Sequence, residues 1–266
     1  MKFDTSWVEY ASVDGKTVSE SVPLRRSADA QIVVFDDWES EAFRATRGLS
    51  SKGYFAKPKQ ADASTPAVIA IHEWWGLNKV TIADVLRLVG LGYQVLAPDL
   101  YYGKVTHDEN ESQKLMQEVI DHPNLAKDNL KQAYQYLSDR GATKIGVIGW
   151  CFGGSWSLQT ALLFPKELSA AVIYYGTQVG QVGTEDLEPL SMPILGFFGA
   201  DDQIIPVENV RQFKSNLEQL GKEAKIHIYE GICHAFADPT DDRFEPEITA
   251  AAWSETVEFL AQNLHS

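Results

Sequence analysis

From residue 67 onward, short apolar segments alternate with longer segments of helical periodicity, and this alternation strongly constrains the fold. The apolar segments are rich in Val, Ile and Ala, which is typical of buried strands. They cover residues 67–71, 93–97, 144–148, 170–175, 193–198 and 224–229. The helical segments cover residues 80–90, 109–120, 125–138, 155–164, 207–220 and 250–264. The alternation predicts an α/β fold, in which a mostly parallel sheet carries helices on both faces.

The N-terminal quarter of the chain is less regular. Residues 31–35 and 51–56 are apolar enough for strands, and together with residues 7–10 they predict an antiparallel edge on the sheet. The chain has 266 residues, 44% of them hydrophobic, which suits one large core. We therefore expect a single domain over residues 1–266, in which residues 1–50 form an N-terminal extension whose role the sequence leaves open.

The charge and composition of the chain limit the classes of molecule that it is expected to bind. The formal net charge of −14 argues against nucleic acid and anionic membranes. Two cysteines do not suggest a disulfide framework, and no apolar run approaches the roughly 18 residues that span a bilayer. The first residues lack the apolar core of a signal peptide. These features predict a cytoplasmic protein that acts on a small molecule, as a monomer or a homodimer.

A sharp turn is predicted at Cys151, between an apolar strand and a helix. Gly149 and Gly153 lie two residues before and two residues after the cysteine. This is the G-x-S-x-G pattern of a nucleophile elbow, with Cys in place of Ser. A thiol there lies at a helix N-terminus, where backbone N–H groups and the helix dipole favour thiolate.

Acidic and imidazole side chains follow later strands in the order that a hydrolase triad requires. Asp201 and Asp202 follow the strand at 193–198, and His234 follows the strand at 224–229. In parallel sheets, active sites form at the carboxyl ends of the strands. An imidazole can take the thiol proton, and a carboxylate on its other nitrogen fixes the tautomer.

Four motifs together resemble the dienelactone hydrolase family over residues 50–264. They read HEWWGLN at 72–78, PDLY at 98–101, GWCFGG at 149–154 and GICHAF at 231–236. The resemblance implies an α/β-hydrolase fold and a hydrolase of ester or lactone bonds that uses a thioester acyl-enzyme. It implies Cys151 as nucleophile, His234 as base and Asp202 as acid, with Asp201 as the alternative acid. It also implies that Glu73 holds the resting thiol in a protected, little ionised state.

Further site residues follow from the same pattern. We expect the backbone N–H groups of Trp74 and Phe152 to form an oxyanion hole. The aromatic side chains near these loops predict an apolar substrate pocket. The candidates for its lining are Trp75, Tyr101, Trp150 and Phe236.

No cofactor is implied. His72 and Glu73 match the first two positions of a metal-binding H-E-x-x-H motif, but the second histidine four residues later is missing, so no metal is expected either.

Two positions depart from the family pattern. In dienelactone enzymes a Ser follows the catalytic His, and an Arg lies four residues after that His, whereas this chain has Ala235 and Asp238. The Arg is implied to hold the carboxylate of the lactone acid, so this chain is predicted to prefer a different ester or lactone. A thioesterase or peptidase using the same triad, and a non-catalytic binding protein that kept the fold, are the alternatives.

Overall fold

A mostly parallel β-sheet of eight strands organises the part of the chain that the structure describes. The computed structural model describes residues 28–35 and 51–265. The spatial order of the strands is β1-β2-β4-β3-β5-β6-β7-β8. The strands are β1 (Ala28–Phe35), β2 (Ser51–Pro58), β3 (Ala67–Ile71), β4 (Gln94–Pro98), β5 (Ile145–Trp150), β6 (Ala170–Tyr174), β7 (Ile194–Gly199) and β8 (Ala224–Tyr229).

The antiparallel part of the sheet lies at its N-terminal edge. Strand β1 pairs antiparallel with β2, and β2 pairs antiparallel with β4. All other neighbouring strands are parallel. This confirms the predicted α/β architecture with its antiparallel edge. The strand predicted at residues 7–10 lies outside the described residues.

Helices connect the parallel strands and cover the sheet. Every residue of β3 to β7 is buried, and since successive residues of a strand point to opposite faces, both faces of the sheet must be covered. Strand β8 forms the far edge and is half-exposed. The helices are α1 (Lys79–Gly90), α2 (Glu109–Asp121), α3 (Pro123–Asp139), α4 (Phe152–Leu163), α5 (Thr184–Leu187), α6 (Val207–Gln219) and α7 (Pro246–Leu264).

Helix α4 begins three residues earlier than the sequence pattern predicts, directly after Cys151. Gly153 and Gly154 have low helix propensity, so the pattern favoured a later start. In the structure they bring the helix very close to the sheet. A Cβ on Gly153 would lie 2.2 Å from the carbonyl oxygen of Ile71, and one on Gly154 would lie 2.3 Å from that of Tyr174. Tertiary contact therefore outweighs local propensity here.

The remaining differences concern short elements and helix ends. Helix α7 begins at Pro246, four residues before the predicted start, because proline is well suited to the first helical position. A 3-10 helix at Thr177–Gln181 and the one-turn helix α5 were not predicted, since neither is long enough to show a periodic pattern.

The topology brings several loops to one edge of the sheet. Strands β3, β5, β6, β7 and β8 all run parallel, so the residues after them meet at their shared carboxyl edge. The residues concerned are Glu73 after β3, Cys151 after β5, Tyr175 after β6, Asp202 after β7 and His234 after β8.

Candidate active site

Cys151 occupies a strained turn between β5 and α4. Its backbone has φ 52° and ψ −116°, a left-handed conformation that non-glycine residues rarely adopt. The neighbouring glycines permit this turn by close approach: a Cβ on Gly149 would lie 2.1 Å from the carbonyl oxygen of Gly153. The strain therefore falls on the cysteine itself, and the glycines remove the side chains that would block the turn.

One imidazole joins the thiol to a carboxylate. His234 Nε2 lies 3.1 Å from Cys151 Sγ, and His234 Nδ1 lies 2.7 Å from Asp202 Oδ2. A carboxylate accepts hydrogen bonds, so the proton of the neutral ring sits on Nδ1 and Nε2 is free to accept from the thiol. This is the tautomer that a general base for Cys151 requires.

The structure distinguishes between the two candidate acids. The Asp202 side chain is fully buried, and its Oδ1 accepts hydrogen bonds from the backbone N–H groups of Ile204 and Ile205, at 2.8 and 2.9 Å. These bonds hold the carboxylate towards His234. Asp201 is exposed and has no contact with His234 among the hydrogen bonds of the described residues. Asp202 is thus the carboxylate that contacts the imidazole.

The thiol of Cys151 is neutral in this arrangement. Burial raises its pKa, and the nearby Glu73 raises it further. The backbone N–H of Phe152, which donates to the sulfur, lowers the pKa, but by less. The N–H group at the helix N-terminus thus favours thiolate as expected, but desolvation outweighs it in the resting site. A little ionised thiol agrees with the state that the family resemblance implies.

Glu73 contacts other groups than the thiol. The hydroxyl of Tyr175 donates to Glu73 Oε1 at 3.2 Å, and the side chains of Glu73 and Asp238 are hydrogen-bonded. Burial raises the pKa of Glu73 well above its usual range, and the charge of Asp238 adds to this. The direct partner of the resting thiol is His234. Glu73 raises the pKa of the thiol only when it is itself ionised.

Two backbone N–H groups are available for an oxyanion. That of Phe152 already points to the sulfur of Cys151. Among the hydrogen bonds of the described residues, none uses the backbone N–H of Trp74. Trp74 follows β3 and Phe152 begins α4 after β5, so both groups lie at the same edge of the sheet.

The predicted pocket residues divide into two groups. Trp75 is half-buried and contacts Trp74, with ring centroids 4.6 Å apart. Tyr101 is buried beside Phe152, at 5.3 Å between ring centroids. These two rings lie close to the candidate oxyanion hole.

Trp150 and Phe236 lie deeper than predicted. Trp150 is 6% exposed and stacks on Tyr174. Phe236 is completely buried against Tyr174, Tyr175 and Tyr229. Phe236 therefore supports Tyr175 from the core. The ring of Tyr175 in turn contacts that of His234, with ring centroids 5.0 Å apart.

Sequence reasoning missed Tyr175 and misread Asp238. Tyr175 was assigned to the strand, although it is the first residue after β6 and so belongs to the functional edge of the sheet. Its φ of 36° is a second strained position at the site. Asp238 was recognised only as a departure from the family pattern. Nothing in the sequence indicates its contact with Glu73, because the two residues are far apart in the chain.

His72 joins two loops behind the site. Its Nδ1 lies 2.6 Å from the carbonyl oxygen of Glu73, and its Nε2 accepts from the backbone N–H of Leu100 at 3.1 Å. Nδ1 therefore carries the proton. Burial lowers the pKa of His72, so the ring is a neutral bridge at neutral pH.

The model of the dienelactone hydrolase family matches residues 51–264 of this chain. The chain belongs to the dienelactone hydrolase family. It is thereby a hydrolase with the α/β-hydrolase fold, and the family's activity is that of a carboxylic ester hydrolase acting on small-molecule esters.

Relatives from two Aquifex species illustrate the similarity. Protein usf of Aquifex pyrophilus is 31% identical over 227 residues, which cover 82% of this chain and 95% of the relative. A protein of Aquifex aeolicus named "Putative carboxymethylenebutenolidase" is 29% identical, with 80% of this chain and 94% of the relative covered.

A solved structure shows the shared fold. The dienelactone hydrolase-like promiscuous phosphotriesterase from metagenomic libraries superimposes with a TM-score of 0.77 at 19% identity, over 89% of this chain and 99% of that one. Within the described residues, no helix combines the length and apolarity needed to cross a bilayer.

Proposed function

We propose that this member of the dienelactone hydrolase family cleaves esters or lactones with Cys151 as nucleophile, His234 as general base and Asp202 as the acid that orients His234. The observation that carries the proposal is the pair of short contacts made by one imidazole, 3.1 Å to the thiol and 2.7 Å to the carboxylate. Such a relay is the arrangement that activates a weak nucleophile.

The chemistry runs in two halves. His234 Nε2 takes the proton of the Cys151 thiol as the sulfur attacks the carbonyl carbon of the substrate. The resulting oxyanion accepts hydrogen bonds from the backbone N–H groups of Phe152 and Trp74. Collapse of the tetrahedral intermediate breaks the ester bond, and His234 gives its proton to the departing alkoxide. A thioester is left on Cys151.

Water then hydrolyses the thioester, with His234 again acting first as base and then as acid. His234 takes a proton from the water as its oxygen attacks the thioester carbonyl, and it then returns the proton to the sulfur. Asp202 stabilises the imidazolium that forms in each half. A resting thiol that is neutral until substrate arrives suits this sequence of steps, since the proton leaves only when His234 and the carbonyl are both in place.

The substrate that we propose is an ester or lactone without a carboxylate near the reacting bond. Asp238, where dienelactone enzymes have an arginine, is buried beside Glu73. Arg243 is a cation that acts electrostatically on Cys151, but its guanidinium makes two hydrogen bonds to Asp241, at 2.7 and 2.6 Å. Its charge is thus largely neutralised before an anionic substrate could use it.

Intact-mass spectrometry during turnover of p-nitrophenyl acetate tests the mechanism. We expect a transient acetyl adduct on Cys151, which disappears as free acetate is released. Cys151→Ala should abolish both the adduct and the turnover, whereas Cys233→Ser, which removes the other thiol, should retain both. An adduct on Cys233, or turnover that survives in Cys151→Ala, would contradict the proposed nucleophile. Binding of esters with no turnover would instead favour a non-catalytic role.

A further inference from the structure

We propose that Asp238 is a positioning residue of this active site: it shares one proton with Glu73, so that Glu73 faces the thiol as a neutral acid. The inference rests on the proposed function, because it assigns a role to Glu73 beside the proposed nucleophile. It concerns a position at which this chain departs from the dienelactone enzymes.

Asp238 is held in place as a buried carboxylate. It is only 3% exposed. Its Oδ1 accepts two hydrogen bonds from Thr240, one from the backbone N–H at 2.8 Å and one from the hydroxyl at 2.7 Å. Hydrogen bonds donated to a carboxylate favour its ionised form. Thr240 therefore holds the Asp238 carboxyl in place as an acceptor of two hydrogen bonds.

Glu73 is the protonated partner. Glu73 and Asp238 line the same small cavity, and their side chains are hydrogen-bonded to each other. Two carboxyl groups can form such a bond only if one of them carries a proton. Tyr175 donates to Glu73 Oε1, which a protonated carboxyl can accept at its carbonyl oxygen. Among the ion pairs of the described residues, none gives Glu73 a cationic partner that would hold it ionised.

The pair borders a cavity of about 10 Å³, the size of a single water molecule, which is also lined by Asp84 and Trp150. Asp84 comes from α1 and contacts Arg87 at 3.2 Å, and burial raises its pKa to about 6. The cavity is too small for an ester. No group of three or more His, Cys, Asp or Glu side chains in the described part of the chain is arranged to hold a metal ion.

The charged and titratable groups that act on Glu73 are Asp238, Tyr175 and Asp84. Glu73 in turn acts on Cys151, which His234, Asp202 and Arg243 also influence. Arg243 is bound to Asp241 and does not contact Glu73 among the hydrogen bonds of the described residues. Asp238 is therefore the charge in direct contact that favours the neutral form of Glu73.

A neutral Glu73 has a direct consequence for the nucleophile. A negative charge on Glu73 raises the pKa of Cys151 and so opposes transfer of the thiol proton to His234. As long as the pair holds its proton, this obstacle is absent. When the pH rises far enough to ionise Glu73, its charge raises the pKa of the thiol and turnover should fall.

The pH dependence of kcat/KM for p-nitrophenyl acetate tests the pair. Asp238→Asn removes the negative charge, keeps an oxygen that can accept from Thr240, and adds an amide that can donate to ionised Glu73. The pKa of Glu73 should therefore drop, and the alkaline fall in kcat/KM should move about one unit towards acid, which is about a tenfold loss within that limb. An effect of the lost anion on the thiol alone would not depend on Glu73 and would persist when Glu73 is replaced by Gln.

The matched control is Asp238→Asn in a Glu73→Gln background, where position 73 cannot titrate. In Glu73→Gln the alkaline fall should disappear, and adding Asp238→Asn to that variant should cause no further shift. Thermal unfolding of each variant checks that it is folded. If Asp238→Asn leaves the profile in place, or shifts it equally in the Glu73→Gln background, Asp238 and Glu73 do not share a proton.

A second readout separates this inference from the proposed function. The rate of alkylation of Cys151 by iodoacetamide, measured against pH in a Cys233→Ser background, reports the thiol without any turnover. A shift of the alkylation profile caused by Asp238→Asn, in a protein that hydrolyses no ester, would support the shared proton and overturn the proposed function. Normal ester hydrolysis, with kinetic and alkylation profiles that Asp238→Asn does not shift, would support the proposed function and overturn the shared proton.

Discussion

At the scale of single residues, the site depends on which groups are buried together. Asp202 and Asp201 are adjacent in the chain, yet only Asp202 is enclosed and contacts His234, while Asp201 faces solvent. In a buried position the carboxylate fixes the imidazole tautomer and stabilises the positive charge that forms during each proton transfer. The two residues therefore offer a matched pair for mutagenesis.

Asp202→Asn should reduce kcat for p-nitrophenyl acetate by a factor on the order of 10⁴, because an amide in place of the carboxylate favours the wrong tautomer of His234. The asparagine oxygen can still accept from Ile204 and Ile205, so the fold should persist. Steady-state kinetics with Asp201→Asn as the control measures the difference. Equal losses in the two variants would show that Asp202 has no special role.

At the scale of elements, the loops after β3 and β4 depend on one another through His72. The neutral imidazole donates from Nδ1 to the carbonyl oxygen of Glu73 after β3, and its Nε2 accepts from the backbone N–H of Leu100 after β4. A protonated ring would lose the bond from Leu100, since Nε2 could then only donate. These two loops contribute Glu73, Trp74 and Tyr101 to the site, so the bridge also supports the predicted pocket.

Acid should weaken this bridge and, with it, the fold. Burial lowers the pKa of folded His72 below the value near 6.5 expected in the unfolded chain. The unfolded state therefore binds the extra proton, and stability should be complete above about pH 7.5 and decline as the pH falls through 6.5 towards the folded pKa. The slope attributable to one proton is at most about 1.4 kcal/mol per pH unit.

Urea unfolding at several pH values between 7.5 and 5.5 measures this effect. His72→Gln should be less stable at pH 7.5 by about 1–3 kcal/mol and should show a shallower dependence on pH, because it lacks the titrating ring. The control is His107→Gln, which changes an exposed histidine and should retain the wild-type slope. Identical slopes in both variants would rule out His72 as the source.

Elements also show what a sequence can and cannot predict. Strands β3 and β8 have the predicted bounds, because short segments rich in apolar residues and flanked by loops define strands well. The start of α4 was predicted too late, because Gly153 and Gly154 have low helix propensity. Their close approach to the neighbouring strands, which requires glycine, is visible only in the structure. The order of the triad residues was readable from the chain, but the bond between Glu73 and Asp238 depends on side-chain positions that no spacing encodes.

At the scale of the whole molecule, negative charge shapes which substrates can approach. The chain has 37 acidic and 23 basic residues. The carboxyl groups of Asp84, Asp202 and Asp238 are concentrated around the site. A field of this sign repels anions from a cleft and slows their encounter, and salt screens the effect.

Neutral esters should therefore be hydrolysed in preference to anionic ones. We expect kcat/KM for p-nitrophenyl acetate to exceed that for the p-nitrophenyl half-ester of succinic acid by about tenfold or more at low ionic strength. Raising the salt concentration should narrow the gap, chiefly by accelerating the anionic ester. A preference for the half-ester at any salt concentration would contradict the proposed substrate class.

The backbone of Cys151 also has an evolutionary consequence. Its φ of 52° costs a non-glycine residue conformational energy, and glycine would adopt the same turn with little strain. Selection for activity alone opposes that replacement. A descendant of this chain that lost its substrate would thus gain stability by mutating to glycine at its former nucleophile, and the residue found at this turn would record whether a lineage still performs the chemistry.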